Sequence, residues 1–246
     1  VVEELGLKDS KPVSTPGSKE DVERMLLDLG LPLNPTQATQ YRAMAARSNY
    51  LALDRPDIQF ATKEASKYMV APSEGNLLLM KRLGRYLEGS LRLVQMSRWQ
   101  GATRALHTYI DSDWAGDKTA RKSTSGGIAF LGAHCIKSWS TNQTIIALSS
   151  AEAELYALLK GASQTLGLKS MATDYGDELD GGLWSDASAA IAISQWSGLG
   201  KLRHIQNQFL WLLERVSAKE LKLSKVFGSS YAAVLVDGAS DSNCPH

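Results

Sequence analysis

Residues 105–110 read ALHTYI, residues 127–131 read GIAFL and residues 135–139 read CIKSW. The first stretch alternates polar with apolar side chains, and the other two are rich in apolar, β-branched and aromatic residues, so all three are typical of strands. The turn-prone pair Gly132-Ala133 separates the last two stretches. We therefore expect three consecutive strands that form a meander.

A helix follows these strands in the sequence. Ser149 and Glu152 form a capping-box pattern that opens it. Its apolar residues recur at helical spacing along one stripe, namely Leu155, Leu158, Leu159, Ala162 and Leu166. The later elements are a fourth strand, a short helix, a longer helix, a fifth strand and a last helix, over residues 181–185, 187–196, 205–216, 221–226 and 231–236. This order predicts an α/β fold with a five-stranded sheet.

The N-terminal part of the chain has a different pattern. Its first 36 residues are rich in proline and glycine, which permits only a short helix near residues 21–29. Between residues 37 and 89 the apolar spacing predicts three helices, and Ser73 is placed to cap the third. The expected regions are a lead-in or linker, a helical segment, the α/β domain and a disordered tail, over residues 1–36, 37–100, 101–238 and 239–246.

The composition is that of an ordinary globular protein, with 43% hydrophobic and 22% charged residues among 246. No apolar run approaches the roughly 20 residues that a membrane helix needs, and no export signal is visible. Cys135 and Cys244 have no metal-binding spacing and fit a reducing compartment. A net charge of +1 excludes a strongly basic nucleic-acid coat. We expect an intracellular protein without a membrane span.

Three acidic residues stand near the ends of predicted elements. Asp111 ends the first strand, Glu154 lies near the start of the helix at residue 149, and Asp186 ends the fourth strand. Because Glu154 adjoins the apolar stripe, its side chain should point toward the sheet. Converging carboxylates repel one another unless a cation neutralises them, and their oxygens suit Mg²⁺ or Mn²⁺. Two such ions about 4 Å apart would bind a scissile phosphate and activate water.

Each of these acids also has an ordinary structural explanation. Asp111 fits a polar strand end, Glu154 a favourable charge near the N-terminus of a helix, and Asp186 a helix cap. Because the predicted order places all three at one end of the domain, a shared functional site is the better interpretation.

Several motifs in the chain resemble one known family. The stretches YIDSDWAGD at residues 109–117, RKSTSGG at 121–127 and ALSSAEAE at 147–154 resemble the RNase H domain of copia-type LTR retrotransposon Pol polyproteins. RPDI at 55–58 and LGRYL at 83–87 are similar to the segment that connects the reverse transcriptase to that RNase H domain. The resemblance implies an RNase H-like mixed five-stranded sheet with flanking helices, preceded by a small helical segment.

The same resemblance implies a function, which is Mg²⁺-dependent hydrolysis of the RNA strand of an RNA/DNA hybrid by an endonuclease. Matched by motif, Asp111, Glu154 and Asp186 take the places of three of the family's four catalytic, metal-binding acids. Val234 stands where the fourth acid is expected, and valine cannot ligate a metal. Two functions therefore stay open: an active hybrid ribonuclease, or a catalytically degenerate remnant that keeps the fold and weak nucleic-acid binding.

An RNA/DNA hybrid is recognised through its shape, phosphates and 2′-hydroxyls rather than its base sequence. The expected contacts are basic or hydroxyl side chains, namely Arg121, Lys122, Ser125, Lys81, Arg82 and Arg85. A solvated turn is the alternative for Arg121 and Lys122, and Trp139 and Trp184 are expected in the core rather than as stacking platforms. The resemblance also implies the reverse transcriptase domain of the same polyprotein as a partner, and a location in the cytoplasm, a retroelement particle or the nucleus.

Overall fold

The structure, a computed structural model, describes residues 1–17, 30–117, 120–186 and 206–226. The chain divides into two compact units, Val1–Val94 (unit 1) and Gln95–His246 (unit 2). The units meet between residues 94 and 95, whereas the sequence predicts the boundary of the α/β domain after residue 100. The region boundaries drawn from the sequence stay predictions. In the part of the chain that the structure describes, no helix is long and apolar enough to cross a membrane.

The described part of unit 1 contains three α-helices. They are α1 (Pro35–Leu51), α2 (Gln59–Ser66) and α3 (Glu74–Gly89), with a 3₁₀ turn at Pro56–Ile58. Asn34 caps α1 by accepting the backbone N–H of Gln37, and Ser73 caps α3 as the sequence predicts. The three-helix prediction is confirmed, whereas the helix expected at residues 21–29 lies outside the described residues.

The core of unit 1 is formed by the predicted apolar helix faces. Its buried residues include Tyr41, Met44, Ala45, Ile58, Ala65, Met80, Leu83 and Leu87. The same unit contains a partly buried ion pair, in which Arg55 Nη2 lies 2.7 Å from Asp57 Oδ2 and the Tyr86 hydroxyl donates to the same oxygen at 2.7 Å. Arg55 Nη1 also donates to the carbonyl of Ser90 at 3.0 Å. These bonds tie the start of α2 to the end of α3.

The first residues of the chain pack against α3. Leu5 and Leu7 lie so close to Gly84 that a Cβ there would come within 2.8 Å of a methyl carbon on each. This close approach explains the glycine in the middle of α3. The segment expected as a lead-in therefore contributes part of the packing of unit 1.

Unit 2 is built on a five-stranded sheet. The strands are β1 (Ala105–Asp113), β2 (Thr124–Leu131), β3 (His134–Asn142), β4 (Asp180–Ser185) and β5 (Leu221–Lys225). They lie in the order β3-β2-β1-β4-β5. The first three form the predicted antiparallel meander, and β4 and β5 add in parallel beside β1. The mixed five-stranded sheet is confirmed.

The strand β1 extends further than the sequence predicts. It continues past Asp111 because β2 begins at Thr124 and pairs with it over the full length, with Asp111 opposite Gly126 and Asp113 opposite Thr124. The expectation that Asp111 ends the strand is therefore wrong by two residues. Asp186, by contrast, follows directly on the last residue of β4, Ser185.

Two described helices accompany the sheet, α4 (Ser150–Asp174) and α5 (Gln206–Ser217). The apolar stripe of α4 is buried with residues of the strands and of α5, namely Ile110, Leu155, Leu158, Ala162, Leu183 and Leu212. This packing confirms the predicted stripe. The helices expected at residues 187–196 and 231–236 lie outside the described residues.

Candidate metal centre

Parallel pairing of β1 and β4 determines where two of the three acids lie. Tyr109 on β1 is paired with Trp184 on β4. Asp111 and Asp186 each stand two residues further along their chains, so they come together at the same end of the sheet. Glu154 reaches this point from the second turn of α4.

The structure brings the three predicted acids together. One carboxylate oxygen from each of Asp111, Glu154 and Asp186 lies within 4.8 Å of the other two. Asp111 is half-buried, Glu154 is only 8% exposed and Asp186 is exposed. One side of the cluster is therefore embedded in the protein and the other side is open to solvent.

Ser112 contacts two of these carboxylates. Its backbone N–H donates to Asp111 Oδ1 at 2.8 Å, and its hydroxyl donates to Glu154 Oε1 at 2.8 Å. The second oxygen of Glu154, Oε2, is buried and has no hydrogen-bond partner among the residues that the structure describes. A buried carboxylate oxygen without a donor is costly unless something else binds it.

Burial and mutual repulsion change the ionisation of the cluster. Burial, helped by the charges of Asp111 and Asp186, raises the pKa of Glu154 to about 7, against the lowering effect of the Ser112 hydrogen bond. The pKa of Asp111 is also raised, mainly by burial and further by Asp186 and Asp113. Without a cation, the cluster holds its negative charge at a cost.

The residues present fit a divalent cation. Three converging carboxylates supply hard oxygen ligands, and Oε2 of Glu154 has no hydrogen bond that would compete with an ion for it. Ser149 caps α4 by accepting the N–H of Glu152, so the carboxylate of Glu154 is not used as a helix cap. Glu152 in turn accepts the N–H of Leu148 at 2.8 Å.

A buried glutamine, Gln143, is hydrogen-bonded to the backbone next to Glu154. Gln143 Nε2 donates to the carbonyl of Ala153, one residue before Glu154, at 2.8 Å and to Ser125 Oγ at 3.0 Å. Gln143 and Ser112 are not among the functional residues that the sequence predicts. Neither residue carries a charge, and Ser112 stands in the motif at residues 109–117 without a role assigned to it, so their contributions depend on contacts that only the folded chain shows.

The predicted nucleic-acid contacts lie in both units. In unit 2, Arg121 is exposed in a left-handed turn (φ 55°), Lys122 is half-buried, and Ser125 is buried beside Gln143. Ser125 could reach a ligand only if its surroundings opened.

The three predicted contacts of unit 1 stand on α3. Arg82 donates to the hydroxyl of Thr15 at 2.8 Å and Arg85 donates to the carbonyl of Lys11 at 2.8 Å. Lys81 is half-buried. Two of these basic side chains therefore help to hold the N-terminal segment.

The two tryptophans expected in the core have different environments. Trp139 is 9% exposed and lies against Gly127, where a Cβ would clash with its ring. Trp184 is half-buried, stacks on Tyr109 with ring centroids 6.0 Å apart, and donates its Nε1–H to His107 Nδ1 at 2.9 Å. Trp139 is therefore a core residue, as predicted, whereas Trp184 is half-buried and contacts side chains of β1.

Strand order, strand direction and the acidic cluster define the class of unit 2, which has an RNase H-like α/β fold. Over part of its length, the chain is homologous to the retrovirus-related Pol polyproteins of transposons. It is 37% identical over 170 residues to the Pol polyprotein from transposon RE1 of Arabidopsis thaliana, and 35% identical over 170 residues to that from transposon RE2. These matches cover 69% of this chain and 11% of each polyprotein.

Solved structures and protein-family models give weaker similarity to this chain than the Pol polyproteins do. Among solved structures, LC11-RNase H1, isolated from compost by a metagenomic approach, is 13% identical with a TM-score of 0.41, and the match covers 56% of this chain and 96% of that one. No protein-family model matches the chain. The resemblance to transposon Pol polyproteins is thus confirmed by sequence, while the copia-type subgroup stays a prediction.

Proposed function

We propose that unit 2 hydrolyses the RNA strand of RNA/DNA hybrids as the RNase H domain of a copia-type retrotransposon Pol polyprotein. The observation that carries this proposal is the convergence of Asp111, Glu154 and Asp186, with one oxygen of each within 4.8 Å of the others. Homology to transposon Pol polyproteins supports it, because such a polyprotein is where a domain of this fold and cluster is expected.

The three carboxylates have separate tasks in this proposal. Glu154, held at the base of the cluster by α4, and Asp111, held by β1, would fix the ions, and the exposed Asp186 would face the substrate side. When bound, two divalent ions, Mg²⁺ or Mn²⁺, would polarise the scissile phosphate and lower the pKa of the attacking water. The protein contributes the position and negative charge of the ligands.

Substrate and partners follow from the same proposal. An exposed Arg121 and a half-buried Lys122 stand in the β1–β2 hairpin loop, which places positive charge on the loop that follows Asp111 and Asp113. Phosphates of a hybrid would be neutralised there. Unit 1 would connect this domain to the reverse transcriptase domain of the same polyprotein. The activity would then take place in the cytoplasm, a retroelement particle or the nucleus, where that polyprotein is expected.

A cleavage assay tests the proposed activity. The full chain is incubated with a labelled RNA/DNA hybrid and either Mg²⁺ or Mn²⁺, beside Asp111→Asn and Glu178→Gln. Glu178 is an exposed acid that pairs with Arg104 just before β4, at the opposite end of that strand from Asp186. We expect cleavage of the RNA strand by the parent and by Glu178→Gln, and at least about a hundredfold loss in Asp111→Asn. Equal cleavage by all three proteins would overturn the proposal.

The degenerate remnant is the second candidate, and Val234 is the observation that favours it. This residue lies outside the described part of the chain and replaces the fourth acid that the resemblance implies. Loss of one carboxylate would weaken the site for one of the two ions. Cleavage by Val234→Asp together with none by the parent would support the remnant, whereas cleavage by the parent would exclude it.

A further inference from the structure

Ser112 stands in a row of β1 side chains that face α4. Thr108 bonds to Thr165 through their hydroxyls at 2.7 Å, and Ile110 packs against Gly161. Ser112 is the next residue on the same face of the strand, since alternate residues point the same way. Its hydroxyl therefore meets α4 nearer the start of the helix, at the carboxylate of Glu154.

The two hydrogen bonds of Ser112 leave the carboxylates in a defined arrangement. Its hydroxyl occupies Oε1 of Glu154 at 2.8 Å, so the buried Oε2 is the oxygen left for another ligand. Its N–H occupies Oδ1 of the neighbouring Asp111 at 2.8 Å. One residue thus restrains the rotation of both acids.

We propose that Ser112 is a positioning residue, which turns Oε2 of Glu154 toward the divalent ion and keeps Glu154 a one-oxygen ligand. This inference rests on the proposed function, because it concerns the same ion site. An alanine at position 112 would leave the backbone bond to Asp111 in place and remove only the donor to Glu154. Partners that orient a metal ligand commonly contribute tenfold to a hundredfold to metal affinity.

Calorimetric titration of the full chain with Mn²⁺ measures this contribution without any turnover. The variants are Ser112→Ala, the isosteric pair Ser112→Thr and Ser112→Val, and Thr108→Val as the matched control. The control removes a hydroxyl bond between the same strand and the same helix, away from the acids. We expect the dissociation constant for Mn²⁺ to rise about tenfold in Ser112→Ala and Ser112→Val, and to stay near that of the parent in Ser112→Thr and Thr108→Val.

The outcomes separate this inference from the proposed function. If the parent binds Mn²⁺ and Ser112→Ala binds it equally well or more tightly, Ser112 has only a structural role and the inference is wrong. If the parent itself binds no Mn²⁺, both the proposed function and the inference about Ser112 are wrong. Should Ser112→Ala not fold, the comparison of Ser112→Thr with Ser112→Val decides the question, and equal affinities of that pair would overturn the inference.

Discussion

Ile110 on β1 lies directly against Gly161 on α4, so close that a Cβ on the glycine would come within 2.3 Å of the Ile110 Cδ1 atom. This contact lets the helix approach the sheet and carry Glu154 to the strand that bears Asp111. The absence of a side chain at position 161 is thus a condition for the metal centre.

The first prediction concerns this packing. Gly161→Ala should lower the free energy of unfolding of unit 2 by about 1–3 kcal/mol, because overpacking outweighs the better helix propensity of alanine. Combining it with Ile110→Ala should cost less than the sum of the two single changes, since the added methyl group fills part of the space. Urea unfolding followed by tryptophan fluorescence measures both, and additive effects would contradict the close contact.

A second prediction concerns the partly buried pair of Arg55 and Asp57 in unit 1. Burial opposes the charge on Asp57, but hydrogen bonds from Arg55 and Tyr86 prevail and lower its pKa. This stabilisation is present above the ordinary Asp pKa and is lost as the pH falls through the lower folded value. Asp57→Asn should therefore destabilise unit 1 by about 2–3 kcal/mol at pH 7, and this cost should decrease steadily as the pH falls below the ordinary Asp pKa.

The distribution of aromatic residues provides the measurement for that prediction. All six tryptophans stand at or after residue 99, in unit 2, while the elements described in unit 1 are helices. The change should therefore appear in the helical circular dichroism signal and leave the tryptophan fluorescence transition in place. A shift of the fluorescence transition alone would show that the ion pair does not act on unit 1.

A third prediction follows from the raised pKa of Glu154. Folding holds the Glu154 proton more tightly than the unfolded chain does, so metal-free stability should fall as the pH rises from about 4.5 to about 7 and then level off. Glu154→Gln, which keeps an oxygen for the Ser112 hydroxyl, should therefore stabilise the metal-free protein at pH 8 by about 2–3 kcal/mol and have little effect at pH 4. Denaturant unfolding in EDTA checks this, with the exposed Glu178→Gln as the control.

The same ionisation controls ion binding, which makes a fourth prediction. The Glu154 proton must leave before its oxygen can ligate, so the apparent affinity for Mn²⁺ should increase with pH up to about 7 and change little above it. Excess Mn²⁺ at pH 8 should raise the melting temperature of the parent but not that of Glu154→Gln. An equal rise in both proteins would place the bound ion elsewhere.

Much of the fold could be predicted because local patterns agree with the final packing. The meander, the capping of α4 at Ser149 and its buried stripe all follow from spacing and turn residues. The acids Asp111, Glu154 and Asp186 could be selected because they stand near element ends that a mixed sheet brings together. For these features local sequence and tertiary structure agree.

Other features depend on distant parts of the chain and could not be predicted. The extra residues of β1 depend on pairing with the start of β2, and the packing of Leu5 and Leu7 depends on the small residue Gly84 in α3. The roles of Ser112 and Gln143 depend on which atoms face them across the fold. Uncharged hydrogen-bonding residues leave no periodic signal in a sequence, so their positions relative to the acids emerge only from the structure.

Location of the bound ion is the most direct test of the account. Anomalous scattering from Mn²⁺ in crystals of the full chain at pH 8 should give density between the carboxylates of Asp111, Glu154 and Asp186, with Oε2 of Glu154 among the ligands. Density at another place, or none at a Mn²⁺ concentration that saturates the protein in solution, would contradict the assignment of these three acids as one ion site.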